Sequence, residues 1–308
     1  MTFYLIINAD DFGMSESINH GIITAYRAGA ITSTTLMANE AAFMNAVHLS
    51  RSFPALGVGL HFNLTSGKAL SPPSLIPSLV DSAGSFTMQK HLWRAEHIEV
   101  ELESQYNRLL AEGLSPTHID SHHHIHLELD TVYNVVTEFA FRHSLPTRLH
   151  PLSKNRLYPP QTTNFIILDT YHEQSDMDKL LRHLSSLRKG TTEIMCHPGP
   201  LVRSSAERYE SELSVWTHPI VQTALSSPHL SLIHYGHLAA IPQTSTRAAS
   251  SPSAIGRRQL PRGRQPIRKM IKGSSSARQQ RNTKARTRNR GNARRQHQQK
   301  AAQRRRLR

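Results

Sequence analysis

The sequence predicts an α/β fold with a mainly parallel sheet, open or closed into a barrel, ahead of an Arg-rich segment that stays disordered. Three observations predict it. Short β-rich runs alternate with stretches of helical periodicity, and repeated β-then-α units give parallel strands. Asp and His side chains gather where the strand runs end. The composition changes abruptly near residue 243, where large apolar side chains almost vanish.

Phe3-Tyr4-Leu5-Ile6-Ile7 is a continuous apolar run of strand length, the pattern of a strand buried on both faces. Ile18, Ile22, Ala25 and Tyr26 then fall on one side of a helix, with Gly29 placed to end it. Thr-rich residues 31–37 form a second strand. Phe43, Ala46 and Val47 mark a helix that Asn39 can cap, and residues 56–63 form a third strand, thinned by Gly57 and Gly59. Residues 64–90 are rich in Ser, Pro and Gly with little periodicity, and long loops of this kind often cover a site. Val132, Val135, Val136, Phe139 and Ala140 keep helical spacing. Met177, Leu180, Leu181, Leu184 and Leu187 do nearly the same, with Asp176 as N-cap, Arg188 and Lys189 in the last turn and Gly190 beyond. The remaining strands are expected at 117–121, 165–169, 193–197 and 230–235. Periodic residues such as Leu180 and Leu184 read as core.

Charge divides the chain in two. The 308 residues carry 37 Lys+Arg, 22 Asp+Glu and a formal net charge of +15. Residues 241–308 hold 21 of those basic groups and none of the acidic ones, so residues 1–240 carry a net of −6. The basic character therefore belongs to the tail, and residues 1–242 read as the folded domain. Residues 243–308, made of Arg, Gln, Ser, Ala and Asn, cannot bury enough surface to offset chain entropy. The tail reads either as a salt-dependent tether for nucleic acid or another polyanion, or as an extension with no selected role. It lacks the interleaved aromatics of single-strand binders. A single cysteine, Cys196, excludes an internal disulfide framework and suits a reducing compartment. No apolar run reaches the length of a membrane span, and no basic leader precedes the first strand, so a cytoplasmic location is expected.

The chemistry sits at the strand ends. The first ends in Asn8-Ala9-Asp10-Asp11-Phe12-Gly13 and the third in His61-Phe62-Asn63. Thr117-His118-Ile119-Asp120-Ser121 leads into His122-His123-His124-Ile125-His126, and a later strand ends in Cys196-His197-Pro198-Gly199. Ligands bind at the carboxyl ends of strands in parallel α/β folds. One carboxylate with several imidazoles is a donor set for a divalent cation that leaves a position open for water. Strand alternation would turn one of the two adjacent Asp side chains away from the other, leaving one for the metal and one for use as a base. Read singly, an Asp pair is as often a helix cap and His61 more often a satisfied polar residue. Four imidazoles within 122–126 are harder to explain by packing.

These motifs resemble the YdjC-like carbohydrate deacetylases, and the Asp-Ser-His-His-His-x-His wording looks most like the chitooligosaccharide deacetylases. The stretches Gly59-Leu60-His61-Phe62-Asn63-Leu64-Thr65 and Met195-Cys196-His197-Pro198 carry the same resemblance, with support from Gly21-Ile22-Ile23 and Thr32-Ser33-Thr34-Thr35. It runs from about residue 4 to about 240, matching weakly from Pro200 to Trp216. The resemblance implies a distorted (β/α) barrel hydrolase that removes acetyl groups from small N-acetylated sugars such as chitobiose, in chitin oligosaccharide breakdown. It implies one divalent metal ion, magnesium or zinc, held by Asp11, His61 and His122. Asp10 would be the general base and His197 the acid that protonates the leaving amine. His124, His126 and Asn63 would contact substrate or orient ligands, and the 64–90 loop would shape the sugar pocket. A homodimer is expected by the same analogy. Two other functions stay open on the residues alone: a metal-dependent phosphoesterase on a similar barrel, and a polyanion-binding protein acting through its tail.

Overall fold

The computed structural model describes residues 3–148, 158–171, 174–199 and 212–241. The Arg-rich segment from 243, and most of the weakly matching stretch after Pro200, lie outside the described residues. Among the described residues seven strands form one sheet: β1 (Phe3–Phe12), β2 (Ser33–Leu36), β3 (Gly57–Phe62), β4 (Ile119–Ser121), β5 (Phe165–Ile167), β6 (Gly190–Cys196) and β7 (Leu230–Leu232). Helices among the described residues include α1 (Glu16–Arg27), α2 (Phe43–Ser52), α3 (Ala95–Ala111), α4 (Ile125–Glu128), α5 (Asp130–Arg142), α6 (Gln174–Ser185) and α7 (Pro219–Leu225), with a further helical turn at 212–216. Strand order is β4-β3-β2-β1-β6-β5, with β7 on the N-terminal part of β1. Every strand pairing is parallel.

The sheet curls into a half-barrel, the distorted barrel expected. At about 4.8 Å per strand, a flat sheet would hold β1 and β4 about 14 Å apart. Yet Asn8 of β1 and Asp120 of β4 meet inside it, Nδ2 to Oδ2 3.5 Å. Arg148, next to a residue bridged to β4, reaches Glu193 of β6 at 2.8 Å. Helices cover the outside through apolar faces: Ile18, Ile22 and Ala25 of α1, Ala46 and Val47 of α2, and Val132, Val136, Phe139 and Ala140 of α5 are all buried. No described helix is long and apolar enough to cross a membrane.

Helix ends follow local chemistry where the sequence is explicit. Ser15 Oγ accepts from the Ile18 N–H at 3.2 Å and opens α1. Gly29, at φ +82, closes it as expected, its N–H donating to the Tyr26 carbonyl. Three expectations need correction. Asn39 does not cap α2, whose N-cap is Ala42 with no side-chain bond. Instead the Asn39 amide donates to the carbonyls of Ser66 and Lys68, satisfying loop backbone that no strand pairs. Asp176 lies inside the first turn of α6 rather than capping it. That helix also stops at Ser185, so Leu187, Arg188 and Lys189 fall beyond it, and the Arg188 guanidinium packs over the Phe165 ring at 4.3 Å. The 17-residue α3 was not expected, because buried Glu101 and Gln105 interrupt its apolar stripe of Ile98, Leu102 and Leu109.

The thin stretch of β3 has a steric cause. A Cβ on Gly59 would stand 2.5 Å from the His118 ring and 2.7 Å from the His118 carbonyl oxygen. Gly59→Ala is therefore expected to destabilise the fold by about 1–3 kcal/mol through overpacking. Thermal melting reads this as a lowered Tm, and an unchanged Tm would mean that His118 does not pack over β3.

Candidate active site

The site forms where β1, β3 and β4 end, and a backbone irregularity makes it possible. Ala9 pairs with Thr34 and Phe12 with Leu36, so β1 advances one residue more than β2 across this step. The extra residue is a β-bulge, and Asp11 sits in it at φ +68. Regular alternation would aim Asp10 and Asp11 to opposite faces. The bulge overrides it, and both carboxylates reach the same buried interior, each 2% exposed.

Asp11, His61 and His122 converge. Asp11 Oδ1 lies 3.3 Å from His61 Nε2 and 2.9 Å from His122 Nδ1. One ligand atom from each residue falls within 4.8 Å of the other two. The two rings meet edge to face at 5.4 Å. His122 reaches inward because His123 and His124 both adopt left-handed backbone, at φ +53 and +51, and turn the chain sharply after β4. Such conformations cost of order 1–3 kcal/mol each and persist where the surroundings enforce them.

His61 is oriented from behind. It is the register partner of Asp120 across β3 and β4, and its Nδ1 lies 2.6 Å from Asp120 Oδ1 and 3.1 Å from Thr35 Oγ1. A proton on Nδ1 shared with Asp120 leaves the Nε2 lone pair aimed at Asp11. Three electron-rich donors facing one point in a dry site repel one another unless a cation or a proton lies between them. A carboxylate oxygen and two imidazole nitrogens are a set that zinc accepts, and magnesium accepts with water filling the rest. The donor set thus fits a divalent cation. Burial alone would lower the His61 pKa, but Asp120 and Asp11 push it up to about 10, so in the absence of a cation a proton occupies this place.

Beneath this lies a buried charge cluster centred on Arg148. Its guanidinium donates to both oxygens of Asp10, at 2.7 Å each, and to Glu193 Oε1 at 2.8 Å, and pairs with Asp120 Oδ2 at 3.0 Å. Tyr235 donates its hydroxyl to Glu193, and Asn8 donates to Asp10 Oδ1 at 2.9 Å. Burial opposes ionisation of Asp10, yet Arg148 outweighs it and holds the carboxyl below its usual range. Burial pushes the Glu193 carboxyl up against the pull of the same guanidinium. Arg148 and Asp120 have no assigned role in the sequence reading. A signal existed for Asp120, which occupies the place matching His61 in the neighbouring strand. Arg148 lies outside any strand, beside the isolated Ile119–Thr147 bridge, and local pattern does not mark it.

The other motif residues take different positions. His126 is buried, its Nε2 2.7 Å from the Arg148 carbonyl and its Nδ1 2.5 Å from Ser121 Oγ. Since a carbonyl only accepts, Nε2 carries the proton and Ser121 donates to Nδ1, so this neutral ring ties β4 to the Arg148 backbone. His124 is half-buried beside Arg148 and Asp10, and burial drops its pKa to about 4. Asn63 is buried and organises its own turn: Oδ1 accepts from the N–H groups of Thr65 and Ser66, while Nδ2 donates to Asn39 and to the Ser66 carbonyl. Gln105 and Glu101 of α3 clamp the same loop through Asn63, Leu70 and Ser71. The start of the 64–90 loop is thus fastened beside the site, with Thr65 Oγ1 3.0 Å from His123 Nδ1. His197, just past β6, keeps its ring 22% exposed, 3.7 Å from Glu212. Burial lowers its pKa, but Glu212 and Asp11 outweigh that and raise it to about 9.

The family model described as YdjC-like protein matches residues 4–227. The chain is 38% identical over 245 residues to a carbohydrate deacetylase of Geobacillus stearothermophilus, covering 76% of this chain and 98% of that protein. It is 37% identical over 243 residues to a chitooligosaccharide deacetylase of Yersinia pestis, covering 72% of this chain and 94% of that protein. In structure it is similar to an Enterococcus faecalis protein described as a candidate cellobiose-phosphate cleavage protein. That likeness has a TM-score of 0.70 and 28% identity, over 77% of this chain and 99% of the other.

Proposed function

The chain belongs to the YdjC-like protein family, and on that premise we propose that it is a metal-dependent carbohydrate deacetylase acting on small N-acetylated sugars such as chitobiose. The observation that carries this reading is the meeting of Asp11 Oδ1 with His61 Nε2 and His122 Nδ1 beside a second, ionised carboxylate. These three residues would hold one divalent ion, zinc or magnesium. Such an ion polarises a carbonyl oxygen and lowers the pKa of water from 15.7 toward about 7.

The chain's own groups do the rest. Asp10, kept ionised by Arg148, takes a proton from water as the water oxygen adds to the acetyl carbon. His197 gives a proton to the sugar nitrogen as the C–N electron pair moves onto it, and acetate and a free amine leave. His126 and Asn63 act from behind, fixing Arg148 and the loop edge. We place the reaction in the cytoplasm, where the free buried Cys196 stays reduced.

Phosphoester hydrolysis fits the site less well. Asp10, Asp11, Asp120 and Glu193 crowd its floor, and the Arg148 guanidinium is already bonded to three of them. A phosphate dianion would be repelled there, whereas a neutral acetamido group is not. The test is acetate and phosphate release from N,N′-diacetylchitobiose and from a phosphorylated disaccharide across pH. Acetate release is expected, falling as pH rises through the His197 pKa. The cation offsets part of the Asp11 effect, so that limb should lie between 6.5 and about 9. Phosphate release without acetate would overturn the reading.

A further inference from the structure

His197 stands where β6 ends, and the residue behind it comes from the stretch 200–216, where the motif resemblance is weak. Glu212 stands in the helical turn at 212–216, and its side chain is fully buried. Trp216, one turn on, is also fully buried and meets the Tyr171 ring edge to face at 5.8 Å, which fixes that turn against the barrel. Glu212 Oε2 lies 3.7 Å from His197 Nδ1. Taking a carboxylate out of water costs several kcal/mol unless positive groups or donors compensate it, and His197 is one such group. At this distance the two form an ion pair, and catalytic contacts that are long in unliganded structures often tighten into hydrogen bonds when substrate binds.

We propose that Glu212 is a positioning residue that acts through His197, binding the Nδ1 proton so that Nε2 is the nitrogen presented to the departing amine. The inference rests on the deacetylase reading and deepens it. In the step concerned, the C–N bond of the tetrahedral adduct breaks, its electron pair goes to nitrogen, and nitrogen takes the Nε2 proton. The ring, momentarily neutral, keeps the proton on Nδ1 and donates it in a hydrogen bond to the Glu212 carboxylate. It regains the Nε2 proton from the one that water gave to Asp10, by way of solvent, so the cycle closes with acetate and amine as products. A ring without Glu212 can rotate or adopt the other tautomer, and either one removes the acid from its place.

Leaving-group chemistry separates this role from a structural one. Glu212→Gln keeps the shape and removes the charge. Acetate release from N,N′-diacetylchitobiose should fall about 10²-fold in kcat, with KM changed less than about twofold. Hydrolysis of 4-nitrophenyl acetate, whose phenolate leaves without a proton, should change less than about twofold. Glu212→Asp should recover part of the amide activity. In a His197→Ala background, Glu212→Gln should add no further loss, because the two act as one unit. Equal losses on both substrates, or losses that multiply with His197→Ala, would overturn the proposal. Wild-type protein that releases no acetate at all would instead overturn the deacetylase reading itself. If the wild type cleaves the amide but not the aryl ester, the double-variant comparison decides alone.

Discussion

Asp10→Asn is expected to lower kcat for acetate release by about 10²–10⁴, the range for losing a general base, while the chain still folds and still binds its cation. Asn matches Asp in shape but cannot take the proton of the attacking water. The surrounding charges explain why folding survives. Asp10, Asp120 and Glu193 all face the one Arg148 guanidinium. Removing one carboxylate leaves Arg148 paired twice, so no buried charge is stranded, which is the usual cause of collapse when an ion pair is broken. One Asn amide hydrogen facing the guanidinium should cost about 1–3 kcal/mol. Steady-state kinetics with a melting curve and metal analysis check the result together. Activity within tenfold of wild type would remove Asp10 from the base role.

His61→Ala is expected to abolish stable cation binding, with affinity lower by more than about 100-fold, and activity should fall with it. The loss is larger than for a surface His because His61 contributes one of three donors and also carries the Asp120 contact that aims it. Asp120→Asn keeps all three donors and only loosens the ring, so about 10–100-fold in affinity is expected. Equilibrium metal titration of the two variants gives the order directly. An effect of Asp120→Asn larger than that of His61→Ala would mean that Asp120 is itself a ligand rather than a support for His61.

Much of the scaffold was legible because it depends on local pattern. The apolar run from Phe3 to Ile7, the Ile18, Ile22 and Ala25 face, and the Gly29 stop each follow from a few neighbouring residues. The site was legible in part. Asp and His groups at the ends of buried strands stand out because ionisable side chains there need a reason, while the choice of Asp11, His61 and His122 among them came from the family resemblance. Arg148 did not stand out, since its meaning lies in Asp10, 138 residues away, and in a curl of the sheet that no short window encodes. The bulge at Asp11 was equally hidden, because alternation is the default and only the pairing with β2 reveals the extra residue. Buried Glu101 and Gln105 concealed α3 for a related reason: their partners are backbone groups of a loop some thirty to forty residues earlier. Asn39 looked like a cap because caps and loop clamps use the same side chain, and only the fold chooses between them.

Two donor groups share His61: Asp11 with His122, and Asp10 with Asp120. Crystals of the full chain soaked in a zinc salt, with an anomalous difference map recorded at the zinc edge, distinguish them directly. The account predicts a strong peak bonded to Asp11 Oδ1, His61 Nε2 and His122 Nδ1, with Asp10 still on Arg148. A peak held by Asp10 and Asp120, or no density among Asp11, His61 and His122, would contradict it.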